Sequence, residues 1–133
     1  MKKIIRENYL EQLISLQNTP DIKIITGVRR SGKSMLLEAY IDFIKENDSN
    51  ANIIYINFHK IEFDEIKDYK KLNAYIKKCF VDDKTNYLFI DEVQLCNQFE
   101  IAINDLYESR DYDIYLTGSN AFLLSSDLVS LLY

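Results

Sequence analysis

Residues 27–34 read Gly-Val-Arg-Arg-Ser-Gly-Lys-Ser, with Ile22-Lys23-Ile24-Ile25-Thr26 directly before them and Met35-Leu36-Leu37-Glu38-Ala39-Tyr40 directly after. The octet fits the pattern G-x-x-x-x-G-K-[ST], in which a glycine-rich turn between strand and helix wraps phosphate groups. The chemistry explains the spacing. Gly27 and Gly32 let the backbone approach oxygen atoms that a Cβ would block. The loop N–H groups converge on phosphate at the positive end of the following helix. Lys33 supplies a mobile charge for the β/γ-phosphates, and Ser34 a small hydroxyl ligand for Mg²⁺. The β-branched run before the octet and the helix-forming run after it provide the context this motif requires.

Outward from the loop, strand and helix patterns alternate. Glu7 to Leu16 has apolar residues at helical spacing and ends at Asn18-Thr19-Pro20-Asp21, which contains the single proline. The helix after the loop runs to about Glu46, followed by the turn residues Asn47-Asp48-Ser49-Asn50. Ile53 to Phe58 is a second strand, and Asp68 to Phe80 a further helix. Tyr87-Leu88-Phe89-Ile90 is a continuous apolar run, as expected of a strand buried on both faces of a parallel sheet. Phe99 to Ser109 reads as helix, Asp113 to Thr117 as a fourth strand, and the remainder from Ala121 as an apolar helix. The pattern predicts one α/β domain over residues 1–133, a three-layer sandwich on a mostly parallel sheet, with residues 1–20 as a helical lead-in.

Two further places carry chemistry. Asp91 and Glu92 follow the buried run directly, and ligands in open α/β sheets bind outside the carboxyl ends of the strands. An Asp there holds Mg²⁺ opposite Ser34, while the adjacent Glu orients or deprotonates an attacking water. Thr117-Gly118-Ser119-Asn120 ends the fourth strand at the same edge. There an Asn or Ser side chain, Asn120 or Ser119, reaches the γ-phosphate or the lytic water, or Asn120 caps the last helix, a role that does not exclude the first. The phosphate-contacting set is Gly27, Arg29, Arg30, Ser31, Gly32, Lys33 and Ser34; Arg29 and Arg30 each face phosphate or point outward to solvent or a partner. Arg110, at a helix end, reads as a complement to the helix dipole.

Bulk properties bound the rest. The chain has 133 residues, 47% hydrophobic and 28% charged, with a net charge of −5. Such an acidic balance does not favour bulk binding to nucleic acid. Apolar runs are far shorter than the ~20 residues that span a bilayer, so no membrane partner is expected. The basic start Met1 to Asn8 lacks a following apolar region and is not a secretory signal, so the chain is read as cytoplasmic. Cys79 and Cys96 are too few for a disulfide framework or a zinc site. His59, the single histidine, excludes a His-based metal cluster and reads as a polar residue at a strand end.

The segments IIRENYLEQL, IITGVRRSGKSMLLE, IIYINF, YLFIDEVQ and IYLTGSNAFLLSSDL, in this order, resemble a family of bacterial and archaeal AAA-type P-loop ATPases. The resemblance implies Gly32, Lys33 and Ser34 as the Walker A core, Asp91 and Glu92 as Walker B, and Asn120 as a sensor-like residue. It also implies a fourth strand inserted between the first and third, with a fifth strand flanking the first. Members of that family continue into a Ser-Gly-Arg-like stretch, a further strand and a C-terminal domain, whereas this chain stops at Tyr133. The implication is a fragment lacking the final strand or strands and any finger arginine. Ile22–Thr26 would then be a sheet edge, and self-association through that edge and the apolar helix from Ala121 is expected. The function expected is Mg²⁺-dependent ATP binding and hydrolysis, with Glu92, Lys33 and Asn120 as catalytic residues, Ser34 and Asp91 as metal ligands. The alternative is a nucleotide-binding switch or interaction module with negligible hydrolysis. A P-loop kinase would want an arginine-bearing lid, and no Arg follows Arg110.

Overall fold

A computed structural model describes residues 2–25, 30–118 and 130–132. The elements in chain order are α1 (Lys2–Ser15), β1 (Ile22–Ile25), α2 (Arg30–Asn47), β2 (Ala51–Asn57), a 3₁₀ turn (Ile61–Ile66), α3 (Tyr69–Cys79), β3 (Thr85–Asp91), a second 3₁₀ turn (Val93–Leu95), α4 (Phe99–Ser109), β4 (Tyr112–Thr117) and β5 (Ser130–Leu132). Their order in the sheet is β2-β3-β4-β1-β5, and every pairing is parallel. The fourth strand thus lies between the first and third, as the family resemblance implies.

The sheet separates two apolar layers because side chains alternate across a strand. On β3, Leu88 and Ile90 join Ile54, Ile56, Leu116 and the buried sides of α3 and α4. Tyr87 and Phe89 face the other way, into a layer formed with Leu36, Leu37, Tyr40 and Ile44 of α2. The N-terminal lead-in belongs to this second layer: Leu13 is buried there, with Tyr9, Leu10 and Ile14 packed against it. Burial on both faces is the reason β3 reads as an unbroken apolar run. Each such side chain contributes ~1.5–3 kcal/mol on leaving water. Helix α3 starts where Asp68 accepts a hydrogen bond from the Lys70 N–H at 2.8 Å, an Asp N-cap.

One expectation is corrected. Residues 130–132 form a strand, not the end of a helix, and they pair with Ile22, Lys23 and Ile24 of β1. The sheet therefore has a strand beyond β4, and β1 is not its edge. Leu128 to Tyr133 has a composition that suits helix and buried strand alike, so periodicity does not separate them. The unpaired N–H and C=O groups along β1 do, because a three-residue strand satisfies them. With β1 paired on both sides, the open β1 edge expected to drive self-association does not exist. The helix expected from Ala121 lies, up to residue 129, outside the described residues.

A buried ion pair joins β1 to β4. Lys23 is fully buried and donates from Nζ to Asp113 Oδ1 at 2.5 Å and to the Thr19 carbonyl at 2.8 Å. Asp113 Oδ2 accepts from the Asn18 backbone N–H at 2.8 Å and from the Tyr115 hydroxyl at 2.7 Å. Tyr40 and Tyr115 share a further hydrogen bond of 2.6 Å. Burial raises the pKa of both phenols, so they stay neutral and available as donors. Asn18 takes the left-handed conformation (φ 62°) that turns the chain from α1 toward β1, a geometry Asn tolerates well.

Candidate functional site

The site lies at the carboxyl ends of β3 and β4, where the start of α2 meets them. Parallel pairing sets Ile90 opposite Leu116, and Ile25 opposite Thr117. Asp91 and Thr117 therefore end adjacent strands side by side, with the end of β1 on the other flank of β4. The Thr117 hydroxyl donates to Asp91 Oδ1 at 2.5 Å and accepts the Glu92 backbone N–H at 2.9 Å. Both carboxylate-bearing residues are thus fixed by one buried hydroxyl. Sequence reasoning passed over Thr117; its position one residue before Gly118 in the LTGSN segment was the available signal.

From the opposite side, α2 delivers Lys33 and Ser34. Ser34 Oγ donates to Asp91 Oδ2 at 2.8 Å. A hydroxyl and a carboxylate converging on one point form the hard-oxygen donor set that suits Mg²⁺. Lys33 Nζ, nearly buried, stands 3.3 Å from the Gly118 carbonyl and 3.4 Å from Glu92 Oε2. The sequence-predicted Lys33, Ser34, Asp91 and Glu92 are therefore brought together, although 57 residues separate Ser34 from Asp91. Gly32 opens the same turn of α2. Arg30 and Ser31 lie at the start of α2, and their side chains are not among those described. Gly27, Arg29 and Asn120 lie outside the described residues.

Glu92 takes the left-handed conformation (φ 59°, ψ 53°), uncommon for a residue with a Cβ. It turns the chain out of β3 into the Val93–Leu95 turn, closed by the Leu95 N–H on the Glu92 carbonyl at 3.1 Å. Backbone strain of this sort costs about 1–3 kcal/mol and tends to collect where a side chain must be aimed. The Glu92 carboxylate receives the Gln94 side-chain amide at 2.7 Å on Oε1 and faces Lys33, with His59 Nε2 at 3.9 Å, on Oε2. Burial pushes its pKa up, but the Gln94 hydrogen bond, Lys33 and His59 together outweigh that and hold it below the usual carboxylate value. Glu92 is therefore charged at neutral pH. His59, read from sequence as a strand-end polar residue, lies in the turn two residues past the end of β2, and its backbone N–H bonds Asn57 Oδ1 at 3.0 Å. Beyond the site, burial and the Asp91 charge push the Tyr55 phenol up to about 12.

Other features lie elsewhere. A cleft of about 840 Å³ runs between α2 and the outer strand β2, lined by Glu38, Asp42, Asn52 and Tyr55, away from Lys33. Both cysteines are free thiols. Among the described residues no helix is long and apolar enough to cross a membrane, and no three His, Cys, Asp or Glu side chains cluster as a metal site.

Residues 19–133 match the model of a family described as AAA domain. An uncharacterized protein of Haemophilus influenzae is 42% identical over 131 residues, which cover 97% of this chain and 33% of that protein. An uncharacterized protein of Methanocaldococcus jannaschii is 34% identical over 114 residues, covering 82% of this chain and 23% of its own length. The chain thus spans a third or less of these curated relatives. Among solved structures, Drosophila ORC bound to AT-rich DNA and Cdc6 superposes with a TM-score of 0.66 at 12% identity, over 99% of this chain and 54% of that one. Caenorhabditis elegans PCH-2 gives a TM-score of 0.62 at 19% identity, over 99% and 41%. At such identities the likeness is one of fold.

Proposed function

The chain belongs to the AAA domain family, and we propose that it binds ATP with Mg²⁺ and hydrolyses it at the junction of α2, β3 and β4. Its fold is that of a nucleotide-binding, ATPase-like domain. The observation that carries the proposal is the meeting of Ser34 with Asp91 at 2.8 Å beside the Lys33–Glu92 pair at 3.4 Å. These are groups that in-line attack on a γ-phosphate uses, with Lys33 and Ser34 on α2, Asp91 ending β3 and Glu92 directly after it.

In this reading Gly27, Arg29, Arg30, Ser31, Gly32, Lys33 and Ser34 hold the phosphates. Ser34 and Asp91 would hold Mg²⁺, which when bound neutralises charge on the phosphate oxygens. Lys33 leaves Glu92 for the more highly charged phosphates. Glu92, released, accepts a proton from the attacking water, and Asn120 supports the developing charge. Thr117 keeps Asp91 and the Glu92 backbone from drifting as their partners change. In this reading residues 1–133 belong to a single such domain, in a cytoplasmic setting.

Calorimetric titration with Mg²⁺-ATP tests the binding step. Lys33→Ala should weaken affinity at least tenfold, since a charge-assisted phosphate contact is worth ~1.5–3 kcal/mol. Titration curves that coincide with the parent's would refute the site. Asp91→Asn should leave metal-free ATP binding in place and remove most of the gain from added Mg²⁺. An undiminished Mg²⁺ effect in that variant would move the metal ligand elsewhere. Tight binding without any phosphate release would leave the nucleotide-binding switch as the better description.

A further inference from the structure

We infer that Gln94 is a positioning residue for Glu92, assigning the two carboxylate oxygens different tasks. The inference rests on the reading of Glu92 as the base. Gln94 sits in the 3₁₀ turn Val93–Leu95, so its backbone is tied to the left-handed turn at Glu92. Its side-chain N–H binds Glu92 Oε1 at 2.7 Å, whereas Lys33 and His59 both face Oε2. The orientation of the amide is chemically determined, because the reverse would set its carbonyl oxygen against a carboxylate.

A triphosphate carries more negative charge than one carboxylate and therefore draws Lys33 away from Glu92. His59, at 3.9 Å and about half exposed, is beyond hydrogen-bond reach. Oε2 is then free to face a water, while Oε1 keeps its neutral partner. A neutral donor suits this task. It fixes the carboxylate's orientation without adding a second cation that would compete for the phosphates. The other half of the amide strengthens the case. Gln94 Oε1 is buried and has no hydrogen-bond partner among the described residues. An amide that leaves a buried acceptor unsatisfied is a poor choice for stability alone, since an apolar side chain of equal size avoids that cost. Such groups call for a functional account, and the bond to Glu92 supplies one.

The test compares the full chain with Gln94→Met and Glu92→Gln. Steady-state ATP turnover and thermal melts are read together with ¹H–¹⁵N spectra of the side-chain amides. Gln94→Met should lower kcat roughly tenfold or more with KM for ATP within about threefold and no loss of melting temperature. An unchanged kcat, or a fall in kcat that tracks a fall in melting temperature, overturns the inference. If Glu92→Gln turns over like the parent, the base assignment fails instead, and the spectra decide on Gln94 alone. Its side-chain amide signal, identified by its loss in Gln94→Met, should move when Glu92 becomes Gln and persist with Mg²⁺-ATP. A signal indifferent to the Glu92 substitution overturns the positioning role, even where turnover is too slow to measure.

Discussion

Glu92→Gln should abolish most phosphate release while leaving ATP affinity equal to or higher than the parent's. The amide matches the carboxylate in shape but does not take up a proton, and loss of general-base catalysis costs ~10²–10⁴ in rate. Affinity is expected to hold or improve for a reason visible in the resting site. Lys33 lies 3.4 Å from Glu92 Oε2, and a neutral side chain no longer competes with phosphate for it. The Gln94 N–H still finds an oxygen acceptor at residue 92, and the left-handed backbone is unaffected by the change. Phosphate release and equilibrium titration on the same preparation decide the matter. Turnover equal to the parent's would remove Glu92 from the chemistry. Lost affinity together with lost turnover would mean that the carboxylate holds the site together instead of acting as its base.

The second large effect concerns the core, far from any nucleotide. Asp113→Ala should destabilise the domain by about 3–5 kcal/mol, because it leaves the Lys23 ammonium buried without its counter-charge. Two further donors, the Asn18 N–H and the Tyr115 hydroxyl, lose their acceptor in the same step. For a domain of this size the melting temperature should fall by roughly 10–20 °C. Adding Lys23→Met should recover part of that loss, since the orphaned charge disappears with it. Thermal or urea melts of the parent, the single and the double variant read the outcome. A single variant that melts with the parent would show that Lys23 reaches water or another acceptor. A double variant no more stable than the single would locate the loss in the Asn18 and Tyr115 bonds.

Much of the architecture was legible because its signals are local. The β-branched run, the glycine turn and the helix-forming run around Lys33 occupy adjacent residues, so periodicity and turn chemistry identify them without a partner. Tyr87 to Ile90 is legible for the same reason: burial on both faces leaves no polar alternation. Asp91 and Glu92 stand out as charges placed directly after it. The limits of α4 were also readable, since Phe99 to Ser109 is a helical pattern bounded by polar residues at both ends. At β5 the local signal failed, because three residues are too few to show a period.

Local pattern thus determined the types of the four helices and of the first four strands, the phosphate-loop motif and the acidic pair. Packing of the strands decided what those residues touch. The parallel register that sets Thr117 beside Asp91 depends on β4 entering between β1 and β3, a choice that no window of neighbouring residues contains. Lys23 is a charge within an apolar strand, and only the sheet sets Asp113, 90 residues later, against it. Gln94 and Glu92 are near neighbours in the chain, yet their bond exists because the chain turns left-handed at Glu92 under the Thr117 hydroxyl. Side-chain hydrogen bonds are short-ranged and directional, so they form only after the sheet has brought their partners within about 3 Å.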